Sequence, residues 1–147
     1  MSTLVCITID TEEDNWGKYG SSGATVANIG ELPRLQAVFD RWGARPTYLV
    51  NYPPLQDDVS LRVLSALAER VDVEIGAHCH PWNTPPTNAE GERNSMMFRH
   101  SRQANDAMIQ AVRERLVAEL GVGGSALRLR RRLYRWTFRS TARLVPL

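Results

Sequence analysis

Three short segments of the chain have the composition of buried strands. Residues 3–9 form a β-branched and nearly continuous apolar run, which is typical of a strand buried on both faces of a parallel sheet. Residues 47–50 and 73–77 indicate two further, shorter strands. The pattern therefore predicts three strands, with Asp10 directly after the first of them.

Three longer segments carry apolar residues at helical spacing. The first begins at Leu32 and is closed by Gly43, and the second follows candidate N-caps in the range 57–60. The third begins near Ser95 and stops at Gly121. The predicted buried faces are Leu35, Val38, Phe39 and Trp42 in the first helix, Leu61, Leu64, Leu67, Ala68 and Val71 in the second, and Ala104, Met108, Val112, Leu116 and Leu120 in the third.

Strands and helices alternate along the chain, beginning with a strand. This alternation predicts an α/β fold with a parallel sheet, either open or closed into a barrel. Ligands of such sheets bind beyond the carboxyl ends of the strands. Asp10 and the segment 78–82 follow the first and the third predicted strand, so we expect two polar clusters to meet at one edge of the sheet.

Two histidines in the second of these clusters have the spacing of metal ligands. His78 and His80 are two residues apart on an extended segment, so they project to the same side, whereas Cys79 between them points away. A catalytic zinc-type site usually combines such imidazoles with a carboxylate and leaves one position open for water. His100, which lies among arginines at the start of the third helix, is expected on the surface instead.

The acidic cluster of Asp10 and residues 12–14 can supply the carboxylate. Asp10 and Glu12 are the leading pair, because their spacing off the end of one strand aims both side chains into the same pocket. One of them would bind the metal while the other accepts a proton from water. The alternative is that the acidic run is a solvated loop, which is the ordinary state of adjacent carboxylates.

Composition limits the class of protein further. The 147 residues are 43% apolar and 23% charged, which suits one domain with a buried core. No apolar run is long enough for a membrane span, and the acidic start of the chain lacks the basic segment of a secretory signal, so a cytoplasmic location is expected. Cys6 and Cys79 are expected to be free thiols.

Three segments of the chain also match the motifs of a known family. They are Ile-Thr-Ile-Asp10-Thr-Glu12-Glu-Asp; Leu-Pro-Arg-Leu with the later Trp-Gly-Ala-Arg-Pro-Thr47-Tyr-Leu-Val; and Glu74-Ile-Gly-Ala-His78-Cys-His80-Pro-Trp82-Asn. Together these segments resemble the amino-terminal half of polysaccharide deacetylases, carbohydrate esterase family 4. The resemblance extends from about residue 3 to residue 120.

The resemblance implies a partial, irregular (β/α) barrel with parallel strands, as in the polysaccharide deacetylase fold. Residues 1–121 would form a deacetylase-like α/β domain with an incomplete barrel. Residues 122–147 would form an Arg-rich C-terminal segment, expected to be helical, and the family's third motif is absent there. On this interpretation the chain is a truncated deacetylase, and its open sheet edges make self-association an expected consequence.

The resemblance also implies a hydrolase that removes acetyl groups from N-acetylated sugars with a divalent metal, and zinc is the expected ion. Asp10 matches the family's catalytic base, and Glu12 and His78 match metal ligands. Trp82 stands where the family has its second histidine, so His80 is expected to replace that ligand. The residues expected to bind the acetylated carbohydrate are Trp16, Trp82 and Asn83.

Two other functions remain open at this point. Another metal-dependent barrel hydrolase would use a similar histidine pair, but it would place histidine ahead of the acids, and here Asp10 comes first. A non-catalytic interaction domain would use the basic tail, since seven of the 18 basic residues lie in the last twenty positions. That tail lacks the signatures of DNA- and RNA-binding modules, so nucleic acid is not an expected partner.

Overall fold

An open sheet of four short parallel strands and three α-helices make up the described part of the chain. The computed structural model describes residues 5–14, 23, 25–86, 95–122 and 127–129. Its elements are β1 (Thr8–Thr11), α1 (Leu32–Arg41), β2 (Thr47–Val50), α2 (Asp58–Ala68), β3 (Glu74–Cys79), α3 (Arg102–Leu120) and β4 (Leu127–Leu129). The strands pair in chain order, β1-β2-β3-β4, and every pair is parallel. The expected α/β class with parallel strands is confirmed.

Strand β1 begins later than its apolar run predicts, and Asp10 lies inside the strand rather than behind it. The backbone ladder starts where the Thr47 N–H donates to the Ile7 carbonyl (2.9 Å) and ends where the Asn51 N–H donates to the Thr11 carbonyl (3.1 Å). Pairing is limited to this stretch because the partner strand β2 is only four residues long. In the described sheet β1 is an edge strand that pairs only with β2, and its side chains are not buried on both faces.

Strands β2 and β3 form the buried centre of the sheet. Every residue of β2 is buried, and β3 is buried from Ile75 onward. β3 continues to Cys79, beyond the predicted end, so His78 lies inside the strand. Helices α2 and α3 pack on β3 and on each other. The main core consists of Ile29, Leu32, Tyr48, Val50, Leu55, Leu64, Leu67, Ile75, Ala77, Val112 and Leu116.

The buried face of α1 differs from the predicted apolar stripe. Gln36 is buried, whereas Val38 and Trp42 are exposed. The Gln36 side chain can be buried because the Tyr48 hydroxyl donates a hydrogen bond to its Oε1 at 2.9 Å. On α2 the predicted face is correct at its centre, but Val71 lies beyond the helix end and is fully exposed.

Side-chain capping decides where the later helices begin. α2 begins after Asp57, whose carboxylate accepts from the Ser60 N–H at 2.8 Å. α3 begins after Ser101, later than the sequence predicts, because its hydroxyl accepts from the Ala104 N–H at 3.1 Å. The predicted stop at Gly121 is confirmed, and its left-handed φ of 66° is one that glycine adopts without strain.

Strand β4 lies within the C-terminal segment that was expected to be helical. Residues 127–129 pair in parallel with the end of β3, so the helical expectation is wrong for these three residues. Strand β4 supplies hydrogen-bond partners to the backbone groups along this edge of β3, which explains why residues 127–129 are extended and not helical. The pairing also joins these residues to the sheet of the predicted domain 1–121. The rest of the predicted segment 122–147 beyond Val122 lies outside the described residues.

Two expectations from composition can be compared with this fold. No helix in the described ranges combines the length and the apolar character needed to cross a membrane. Cys6 is exposed, Cys79 is buried, and both are free thiols, as expected. Burial raises the pKa of the Cys79 thiol to about 12, so this side chain is not a thiolate nucleophile at neutral pH.

The substitution Tyr48→Phe tests the hydrogen bond that orients α1. It keeps the ring but leaves the Gln36 amide oxygen without its buried donor, so we expect the free energy of unfolding to fall by about 1–3 kcal/mol. Burial also raises the pKa of Tyr48 to about 12 from 10.0. The unfolded chain therefore loses this proton first, and the stability that Tyr48 contributes below pH 10 is lost as the pH approaches 12.

Urea unfolding at pH 7 and at steps between about pH 10 and 12 measures both effects. The variant should be weaker at neutral pH and should lose less stability than the parent over the alkaline range. Identical unfolding curves at every pH would contradict the assignment of this hydrogen bond.

Candidate metal centre

The candidate metal centre lies at the carboxyl ends of β1 and β3. Glu12 follows β1 directly, His78 is near the end of β3, and His80 lies one residue beyond that strand. The two histidines are buried, at 2% and 3% exposure, while Glu12 is partly exposed. Because parallel strands end at the same edge of a sheet, these side chains meet across the end of β2.

Three potential ligand atoms converge at this point. Oε2 of Glu12 lies 2.5 Å from Nε2 of His80 and 3.3 Å from Nε2 of His78, and the two Nε2 atoms are 2.9 Å apart. In a tetrahedral zinc site with bonds of roughly 2.0–2.1 Å, neighbouring ligand atoms lie about 3.3 Å apart. The observed separations are close to that arrangement. The expectation that this carboxylate and both imidazoles meet is confirmed.

The electrostatics of the cluster favour a set of lone-pair donors. Burial raises the pKa of Glu12, but the hydrogen bonds and charges of His78 and His80 outweigh it, so the net pKa lies well below the ordinary value. Burial lowers the pKa of His80 and outweighs the opposing effect of its hydrogen bond to the Glu12 carboxylate. Near neutral pH the cluster therefore offers an ionised carboxylate beside a neutral His80 imidazole, and metal binding requires both of these states.

The far sides of the two histidine rings have no hydrogen-bond partner. Nδ1 of His78 and Nδ1 of His80 are both buried, and neither meets a donor or acceptor among the described residues. A buried polar atom left unpaired costs about 1–3 kcal/mol. The cluster thus reduces the stability of the fold, and departures of this kind from good packing are expected at functional sites.

The predicted substrate-binding residues are near the cluster but have other partners. Trp82 is buried and its indole stacks on the His80 ring, with centroids 4.0 Å apart and an interplanar angle of 17°. The indole Nε1 donates to Glu13 at 2.9 Å, and the Asn83 amide also donates to Glu13. Their roles in binding substrate stay predictions. Trp16 lies outside the described residues.

Glu13 is the functional candidate that sequence reasoning missed. It is 6% exposed, although the acidic run suggested either a metal ligand or a solvated loop. Asn51, directly after β2, donates its amide to Glu13 at 2.5 Å. A signal was present, because the alternation of β1 continues past its end: Thr11 and Glu13 are buried and Glu12 between them is not.

The remaining predicted polar residues are not members of the three-ligand cluster. Asp10 is exposed on β1, and the cluster of mutually close ligand atoms does not include it. Asp14 is exposed and accepts a hydrogen bond from the Thr25 hydroxyl. His100, just before α3, is partly exposed and is also outside the cluster. Of the predicted residues, the structure thus brings together the three proposed metal ligands.

Comparison of the chain with protein-family models, with curated proteins and with solved structures finds no match in any of the three. The resemblance to polysaccharide deacetylases therefore stays an expectation that rests on the motifs themselves. The function of the chain has to be argued from the geometry and the chemistry of the site.

Zinc binding tests the ligand set directly. We expect the protein to bind one zinc equivalent, and His78→Ala, His80→Ala and Glu12→Gln each to weaken binding by more than about 100-fold, since loss of an outer-shell partner alone costs 10–100-fold. Affinity should fall as the pH is lowered, because protons compete for the same atoms. Titration calorimetry at several pH values measures both effects.

The third histidine supplies the matched control. His100→Ala also removes an imidazole, but it lies outside the cluster, so its zinc affinity should equal that of the parent. Equal weakening by His100→Ala and His78→Ala would show that zinc binds to histidines in general, and would contradict the proposed centre.

Proposed function

We propose that this chain is a metal-dependent hydrolase of the polysaccharide deacetylase type, which removes acetyl groups from N-acetylated sugars. The observation that carries the proposal is the convergence of Glu12 with His78 and His80 at the carboxyl ends of parallel strands. Two imidazoles and one carboxylate form a frequent protein ligand set of catalytic zinc. The proposed metal is a divalent ion, with zinc favoured by this donor set.

Strand order supports the proposed barrel ancestry. Four parallel strands in the order β1-β2-β3-β4 have the sequential winding of a (β/α) barrel, whereas a doubly wound sheet reverses its order at a switch point. In barrels the active site lies at the carboxyl ends of the strands. The candidate centre has this position, so the fold and the site favour the same class of enzyme.

The proposed reaction is hydrolysis of an acetamide. When bound, a divalent metal polarises the acetyl carbonyl and makes water more acidic. Asp10 accepts the proton from the attacking water, since it is exposed on β1 only two residues before Glu12. Water adds to the carbonyl carbon, the proton held by Asp10 passes to the leaving nitrogen as the carbon–nitrogen bond breaks, and acetate and the sugar amine are released.

Acetate release from acetylated chitooligosaccharides tests the proposal. The zinc-loaded protein should release acetate, and a chelator should abolish the release until zinc is restored. Asp10→Asn should bind zinc like the parent while kcat falls by about 10²–10⁴-fold, since it removes the general base but no metal ligand.

The matched control is Asp106→Asn on α3, an exposed aspartate that pairs with Arg102 and lies outside the candidate centre. It should keep the parent's kcat. A zinc-loaded parent that binds the metal at the three-residue cluster yet releases no acetate would contradict the proposed reaction. Unchanged turnover in Asp10→Asn would contradict the role of the base.

A further inference from the structure

Glu13 is a buried carboxylate that is held by neutral donors. Its Oε1 accepts from Trp82 Nε1 (2.9 Å) and from Asn83 Nδ2 (2.8 Å), and its Oε2 accepts from Asn51 Nδ2 (2.5 Å) and again from Asn83 Nδ2 (2.9 Å). Among the described residues no arginine or lysine forms an ion pair with it. A carboxylate is costly to bury, and within the described residues these hydrogen bonds are the side-chain contacts that stabilise it.

The indole that Glu13 holds is also the surface on which His80 rests. Trp82 and His80 stack almost face to face, with ring centroids 4.0 Å apart. Metal-bound histidines are usually oriented by a hydrogen bond from the second ring nitrogen, but Nδ1 of His80 has no such partner in the described part of the chain. Stacking on Trp82 therefore orients the His80 ring in place of such a hydrogen bond.

A second route links Glu13 to the backbone of His80. Asn83, which donates to both oxygens of Glu13, accepts from the Thr84 hydroxyl at 3.1 Å. The hydroxyl oxygen of Thr84 in turn accepts from the His80 N–H at 3.4 Å. Glu13 is thus connected to the ring of His80 through Trp82 and to its main chain through Asn83.

We propose that Glu13 is a positioning residue, which holds the imidazole of His80 in its metal-binding orientation through Trp82 and Asn83. The proposal rests on the metal centre of the proposed function and extends it to a residue outside the ligand set. Glu12 and Glu13 then have different tasks although they are neighbours. Glu12 binds the metal, and Glu13 holds the segment that presents the second imidazole.

Glu13→Gln is the sharpest test, because it keeps the size of the side chain and replaces one acceptor oxygen by an NH₂ donor. That donor would face the N–H groups of Trp82, Asn83 or Asn51. We expect zinc affinity to fall by about 10–100-fold with all three ligands in place. Trp82→Phe, which keeps a stacked ring but lacks the indole N–H, should give a similar loss.

The double variant separates the proposed route from independent damage. If Glu13 and Trp82 act through one hydrogen bond, Glu13→Gln combined with Trp82→Phe should lose less affinity than the product of the two single losses. Glu114→Gln on α3 is the matched control, since this exposed carboxylate accepts from Gln110 one turn away, is not part of the cluster, and should keep the parent's affinity.

The visible absorption spectrum of the cobalt-substituted protein distinguishes positioning from simple loss of stability. Positioning predicts that folded Glu13→Gln binds cobalt more weakly and with an altered spectrum. A folded variant with the parent's zinc affinity and cobalt spectrum would overturn the inference and leave the proposed function intact. If Glu13→Gln does not fold, the same result for Trp82→Phe would overturn it. A parent protein that binds no zinc would overturn the proposed function as well.

Discussion

The register of the parallel sheet is the constraint on which the candidate site depends. Asp10 lies opposite Leu49 in β2, and Leu49 lies opposite Gly76 in β3. Two residues further along, these three segments carry Glu12, Asn51 and His78. These residues lie in a row just beyond the paired part of β1 and β2. Their backbones are spaced about 4.8 Å per strand, so long side chains from the two outer positions can meet over the short one between them. A slip of one residue in either strand would turn Glu12 or His78 to the opposite face and separate them.

Sequence reasoning predicts the convergence of Glu12, His78 and His80 because their signal is local. The spacing of His78 and His80, and the position of Glu12 just past a strand, follow from the two-residue period of extended chain. For Glu13 the alternation along β1 predicts burial but not its contacts, since its partners Asn51, Trp82 and Asn83 lie 38, 69 and 70 residues away in the chain. The predicted buried face of α1 is wrong for the same reason, because only the fold brings Gln36 next to Tyr48.

Two buried polar groupings of this fold differ in how completely their atoms are paired. The Tyr48 hydroxyl donates to Gln36, and the Gln36 amide donates to Asp40 at 2.8 Å, so each atom named here meets a complementary one. The hydrogen bonds within this grouping therefore explain how its polar atoms are accommodated in the packing of α1. In the candidate metal centre, a carboxylate oxygen and two imidazole nitrogens point at one another, and neither Nδ1 atom has a partner among the described residues. If both rings carry their proton on Nδ1, three lone pairs face one another there, and a shared proton or a bound cation would relieve their repulsion.

Charge balance favours a cation over a proton. Glu12 and Glu13 bring two carboxylates to the ends of β1, and in the part of the chain that the structure describes neither forms an ion pair with arginine or lysine. A proton shared with His80 would neutralise one of these charges only, and burial lowers the pKa of that histidine. A divalent ion bound by Glu12 and two neutral imidazoles would balance both carboxylates, one by direct contact and the other across a short distance in a medium of low dielectric constant. The alternation of the strand thus places Glu12 in the candidate centre and Glu13 against Asn51, Trp82 and Asn83, and both carboxylates would attract a cation bound there.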